Sequence, residues 1–130
     1  MLDHIGVRVS NYARSKAFYA KVLAPLGGEL VAEVTEEQSG SRAFAGFGIN
    51  GKPAFWISAD PIAELSDIHV AFVAPSREAV DAFHRIAIAA GATDNGEPGV
   101  RPHYHANYYA AFVLDLDGHN VEAVYQGAPG

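Results

Sequence analysis

The chain has 130 residues, 49% of them hydrophobic and 18% charged, which is enough for one well-buried core and too few for two ordinary ones. Its formal charge of −6, with no cluster of Lys or Arg, offers no footprint for a nucleic-acid backbone, and no run approaches the roughly 18 consecutive apolar residues that span a bilayer. With no cysteine, disulfides and thiolate metal sites are excluded, so any metal must be held by carboxylates and the imidazoles of six histidines.

The opening "MLDHIGVRVS" enters a strand pattern at once, without a basic n-region or cleavage site, and the expectation is a soluble, cytoplasmic protein. Ile5, Val7 and Val9 alternate as in a strand. "NYARSKAFYAKVLAPLGG" then shifts to helical spacing through Ala17, Phe18 and Val22, with Asn11 as N-cap and Pro25 as the stop. Three strand-like runs follow, about "ELVAEVTE", "RAFAGFG" and "PAFWISA". "DIHVAFVAPSREAVDAFHRIAIAAGATD" repeats the strand-helix opening, with Ser76 as N-cap and Val80, Phe83, Ile86, Ala87 and Ala90 on the buried face.

At a constant offset of 65 residues His4 meets His69, Asn11 meets Ser76 and Ala17-Phe18 meets Ala82-Phe83, which is the signature of an internal repeat. The second half continues with a weak "ATDNGEP", then "YYAAFVLDL" and "NVEAVYQ", the last two joined by a tight turn at Asp117-Gly118. The stretch from Asn95 to Asn107 has the weakest pattern and is expected to be a loop with an ill-defined strand edge. Each half therefore reads as βαβββ. The expected fold is α+β, a single domain over 1–130 with modules of about 1–60 and 66–126.

Alternation places His4 on one side of its strand with Gly6 and Arg8, while Ile5, Val7 and Val9 turn toward the helix. His69 repeats this placement, and Glu122 interrupts the apolar run Val121, Ala123, Val124, Tyr125 of the last strand. Two histidines at equivalent positions and one strand carboxylate form a two-His, one-carboxylate set, which binds a divalent ion (Zn, Fe, Mn, Ni or Co) and leaves open positions for water or substrate. The duller reading of each residue alone is a satisfied polar side chain; the repeat equivalence raises the histidines together.

"DHIGVRVSNYARSKAFYAKVLAPLG", the "HVAFVA" strand with its helix, and "LDLDGHNVEAV" together resemble the vicinal oxygen chelate superfamily of glyoxalase-type lyases, extradiol dioxygenases and bleomycin-resistance proteins. The resemblance covers essentially the whole chain. It implies two βαβββ modules forming an open, barrel-like sheet around a central metal-bearing cavity, commonly in a dimer, with ligands at His4, His69 and Glu122. A fourth position of glyoxalase-type members, taken at the offset of 65 from Glu122, falls on Ile57, and Phe55, Trp56 and Ser58 beside it carry no carboxylate. Three ligands match the dioxygenase-type set instead.

Proton transfer near the open positions is expected from His105, Tyr108 or Tyr109, just before the seventh strand; regular alternation lets only one of the two adjacent tyrosines face the cavity. His103 is a candidate wall residue. Arg8 can pair with a substrate carboxylate or serve as a rim charge, and Trp56 can form an aromatic wall or ordinary packing. His84 is expected to face solvent and His119 to sit in a turn without function. The functional expectation is a metal-dependent lyase, isomerase or dioxygenase acting on a small substrate chelated through vicinal oxygens. Its partners are that substrate and a second copy of the chain in a homodimer, with no nucleic acid and no membrane. The competing expectation is a non-catalytic, antibiotic-sequestering binding protein of the same fold.

Overall fold

The computed structural model describes residues 1–60 and 68–127. By its internal packing the chain divides into two compact units, Met1–Ala20 with Gly27–Glu64 and Lys21–Leu26 with Leu65–Gly130. The junction expected between modules, 61–65, lies outside the described residues.

The first unit begins with β1 (Ile5–Val9) and α1 (Tyr12–Val22), whose last two residues count with the second unit, and Asn11 caps the helix by accepting the Arg14 amide through its side-chain oxygen at 3.1 Å. Pro25 ends the helical run inside a 3₁₀ turn at Ala24–Leu26. Then come β2 (Glu29–Val34), the four-residue α2 (Glu36–Ser39), β3 (Phe44–Ile49) and β4 (Lys52–Ala59). The strand order is β1-β4-β3-β2, with β1 parallel to β4 and the other pairs antiparallel. Asn50 and Gly51, both at positive φ, make the two-residue turn between β3 and β4. The apolar face buries Val7, Val9, Phe47, Phe55 and Ile57, and Tyr19 of α1 packs on Phe55 and Phe47 at ring-centroid distances of 4.8 and 6.2 Å.

The second unit repeats the design: β5 (His69–Val73), α3 (Arg77–Ala89), β6 (Thr93–Val100), β7 (Tyr109–Leu114) and β8 (Asn120–Tyr125), in the order β5-β8-β7-β6. Ser76 caps α3 by accepting the Ala79 amide at 3.1 Å. The helix lies over β6, β7 and β8 and buries Val80, Phe83 and Ala87. The α+β, βαβββ-twice reading therefore holds. Each sheet is open and four-stranded, and neither closes into a barrel.

Three local expectations are corrected. Residues 93–100, read as a weak strand giving way to a loop from Asn95, form a full strand whose pairing with β7 shifts register around Gly96, so Gly and Pro there mark bulges. Thr35 and Glu36, read as the end of a strand, instead open a capping box: Thr35 Oγ1 accepts the Gln38 amide while the Gln38 side chain accepts the Thr35 amide. The repeat also slips by one residue before its last strand. Gly6 pairs with Trp56 and Ala71 with Glu122, so Trp56, not Ile57, is the counterpart of Glu122.

Candidate functional site

In the second sheet Glu122 stands between Ala71 of β5 and Phe112 of β7, on the face opposite Val121 and Ala123. It is 2% exposed, a carboxylate deep among apolar strands. His69, at the start of β5, places Nε2 2.8 Å from Glu122 Oε1 and Nδ1 3.2 Å from the Asn120 carbonyl oxygen. A carbonyl only accepts, so Nδ1 carries a hydrogen and Nε2 is the nitrogen turned to the carboxylate. In a neutral imidazole Nε2 then holds a lone pair facing Oε1, and two acceptors at that distance require a proton or a cation between them.

Tyr108 donates its O–H to the other oxygen, Oε2 of Glu122. Burial first, and then the hydrogen bond to this carboxylate, push Tyr108 up to about 12, so the phenol stays protonated at neutral pH. Alternation separates the two tyrosines. Tyr108, Ala110 and Phe112 share the Glu122 face, whereas Tyr109 turns to α3, donates to Asp81 at 2.6 Å and lies under the Arg77 guanidinium. His103 packs with its ring tilted against Tyr104 at a centroid distance of 4.1 Å, and Tyr104 meets Tyr108 edge-on at 5.1 Å. His105 Nδ1 accepts the Asn107 amide at 3.1 Å, which commits that nitrogen to its own turn.

Two buried features were not read from the sequence. His119, 3% exposed, sits 2.8 Å by its Nδ1 from Asp115 Oδ2, and Asp115, 6% exposed, also accepts the amides of Asp117 and His119 at 2.9 Å each. The hydrogen bond to Asp115 raises His119 above the usual histidine range. This knot fixes the turn that launches β8, and so the position of Glu122. His84, expected in solvent, is half-buried and meets Asp94 at 2.9 Å. The "DGH" turn composition and the helix surface pattern masked both.

The first sheet carries different chemistry at the matching places. His4, Gly6, Val34, Ser39, Phe44, Trp56 and Ser58 line a hollow of about 480 Å³. One cross-strand row reads Gly6, Trp56, Gly46, Ala32 and the next reads Arg8, Ser58, Phe44, Val34. The indole lies over Gly46, where an added Cβ would come within 2.9 Å of the ring. His4 is exposed and its Nδ1 lies 2.7 Å from Asp3 Oδ1. Among the described residues no group of three or more His, Asp or Glu side chains stands close enough to hold a metal ion. The His69 and Glu122 pair brings together one imidazole nitrogen and one carboxylate, two donor types that divalent ions accept.

The profile of the glyoxalase/bleomycin resistance protein/dioxygenase superfamily matches residues 1–123. The chain belongs to this superfamily. A solved glyoxalase/bleomycin resistance protein from Albidiferax ferrireducens is 28% identical, with 95% of this chain and 97% of that one covered and a TM-score of 0.76. A glyoxalase I mutant from Zea mays is 23% identical, covering 95% of this chain and 45% of its own, with a TM-score of 0.74. A mutant of the fosfomycin resistance protein FosX from Listeria monocytogenes, solved with Mn(II) and 1S,2S-dihydroxypropylphosphonic acid, is 21% identical, covering 98% and 93%, with a TM-score of 0.69. No curated protein matches the chain. For this superfamily member, no helix among the described residues is long and apolar enough to cross a membrane.

Proposed function

We propose that the protein is a divalent-metal-dependent enzyme that acts on a small substrate chelated through two vicinal oxygens, as a lyase or isomerase or as a ring-cleaving dioxygenase. The observation that supports this best is the His69 and Glu122 pair: a buried carboxylate and an imidazole nitrogen turned toward one another, both donor types for a divalent ion. His69 and Glu122 are two ligands, and His4, the repeat equivalent of His69, is the third. The FosX structure with Mn(II) supports a divalent ion in this fold. A bound ion would act as a Lewis acid, stabilising negative charge that develops on the substrate oxygens.

The chain's own residues divide the remaining work. Asn120 holds the His69 tautomer through its carbonyl, so Nε2 keeps its lone pair outward. Tyr108 occupies Oε2 of Glu122 and leaves Oε1 for coordination. As a phenol protonated at neutral pH, Tyr108 donates and is no base. His105, on the same loop, is the proton-transfer group of this proposal, since a neutral ring whose Nδ1 accepts from Asn107 presents Nε2–H as an acid. Tyr109 is left out, because Asp81 holds its hydroxyl against α3. A cytoplasmic homodimer is part of the same proposal; β1 and β5 are both edge strands, whose open backbone groups favour pairing.

The deciding measurement is metal content and affinity of the purified protein after chelation and reloading, alongside His4→Ala, His69→Ala and Glu122→Gln. One ion per chain is expected in the wild type and a drop of about a hundredfold or more in affinity in the variants, beyond the tenfold to hundredfold cost of losing an outer-shell partner. Equal stoichiometry and affinity in all four proteins would overturn the assignment. Loaded enzyme is then assayed on a hemithioacetal and on catechols under oxygen. Ligand binding without turnover on either would favour the non-catalytic, sequestering alternative.

A further inference from the structure

The hollow of the first sheet has a chemical character of its own. Trp56 lies between two glycines that differ in what they permit. Over Gly46 the indole leaves no room, since a Cβ there would meet Trp56 Cη2 and Cζ3 at 2.9 Å and Pro53 Cβ at 3.0 Å. At Gly6, on the other flank, a Cβ would meet only Trp56 O at 3.8 Å and Trp56 Cβ at 3.9 Å, both ordinary contacts. The ring therefore leans toward β3, and the Gly6 side of the hollow stays open. Such a slot suits a flat, apolar group stacked on the indole.

The far end of the same face is cationic. Arg8 stands next to Ser58 in the cross-strand register, and Asp60 and Arg42 lie two residues beyond Ser58 and Phe44 along the chain. Arg8 Nη1 lies 3.4 Å and Arg42 Nη1 3.9 Å from the same oxygen, Asp60 Oδ2. Two guanidinium groups at long range around one carboxylate oxygen leave an excess of positive charge at the hollow's rim, and Arg8 is largely exposed. Arginine in this setting pairs readily with a further carboxylate.

We infer that the first-sheet hollow binds a small aromatic carboxylate, with its ring on Trp56 above Gly6 and its charge at Arg8 and Arg42. This names the substrate class for the proposed chemistry and rests on that proposal for any reaction of the bound molecule. Binding itself needs only the first sheet, whose hollow His4 also lines.

Trp56 is the chain's single tryptophan, so its fluorescence reports on the slot directly. The test uses chelator-treated protein titrated with phenylacetate, phenylacetamide and acetate. Saturable quenching by phenylacetate is expected, about tenfold weaker for phenylacetamide and for an Arg8→Ala/Arg42→Ala variant, the loss of roughly one charge-assisted contact. Acetate, which has no ring, should leave the fluorescence unchanged. Gly6→Val should keep its circular dichroism and melting temperature, because the site tolerates a Cβ and strands favour β-branched residues, yet lose the quenching. No saturable quenching in the wild type, equal affinity for phenylacetate and phenylacetamide, or wild-type binding by a folded Gly6→Val would each overturn the inference. If Gly6→Val does not fold, the arginine pair decides. Since metal is absent throughout, failure here leaves the His69 and Glu122 assignment standing, and failure of metal loading leaves this binding intact.

Discussion

The two sheets have the same strand order, the same parallel pair and the same alternation, yet the equivalent mid-sheet position holds Trp56 in one and Glu122 in the other. The neighbours changed with it. Trp56 is flanked by Gly6 and Gly46, which make space for an indole; Glu122 is flanked by Ala71 and Phe112, and Phe112 in turn covers Gly96, where a Cβ would meet its ring at 2.9 Å. Repetition thus preserves the backbone address and leaves the chemistry at that address free, provided that volume is traded between adjacent strands. One copy is equipped to present a buried charge and the other a flat apolar surface.

The largest effect should come from giving the Glu122 position a neutral side chain. Glu122→Gln keeps the shape and hydrogen bonding but removes the charge, so metal affinity should fall by about a hundredfold or more while Trp56→Phe leaves it unchanged; isothermal titration of both variants checks the asymmetry. If the Trp56 variant lost metal affinity as well, the two addresses would not be chemically independent. Next is the knot below β8. Asp115→Asn should cost about 1–3 kcal/mol in urea unfolding, because it removes the carboxylate that the buried His119 ring faces. His119 is raised in the folded chain, so its contribution is complete below the unfolded value of 6.5 and disappears as pH rises through the folded value. The stability gap between wild type and His119→Gln should therefore be widest in mildly acidic solution and narrow on the alkaline side.

Gly46→Ala should lower stability by about 1–3 kcal/mol through the clash with Trp56, and Gly6→Ala by less than about 1 kcal/mol; melting curves of the two would show whether the indole leans as described. Equal losses would remove the basis for an open slot above Gly6. The smallest change expected is Tyr108→Phe, which frees Oε2 of Glu122 and should weaken metal affinity by about tenfold with little effect on folding, whereas Tyr109→Phe should leave metal affinity alone.

Much of this was legible in the chain because short-range chemistry decided it. Asn11 and Ser76 cap the helices they precede, and the alternating valines of β1 and apolar run of β8 lie where the pattern places them. Alternation also states that Tyr108 and Tyr109 part company, though not which one reaches Glu122. What escaped depended on distant partners. Residues 93–100 carry too little apolar alternation to show how far the weak strand there extends, because β7 supplies the pairing and Gly96 absorbs a bulge. The slip from an offset of 65 to 66 occurs where the two halves differ in loop length, so counting residues named Ile57 where register names Trp56. His119 looked like a turn residue because its burial is created by Asp115 and the sheet rather than by its neighbours' polarity.

The short helix α2 has one further consequence. It is four residues long, buries none of them and is held by the Thr35 and Gln38 capping box and the left-handed Gly40, yet its last residue, Ser39, lines the hollow over Trp56. A turn with so little burial opens at small free-energy cost, independently of the sheet beneath it. The amides of Gln38 and Gly40 should then be among the quickest of the first unit to exchange with deuterium, and occupancy of the hollow should slow them, so that this turn registers a bound ligand as a local loss of motion.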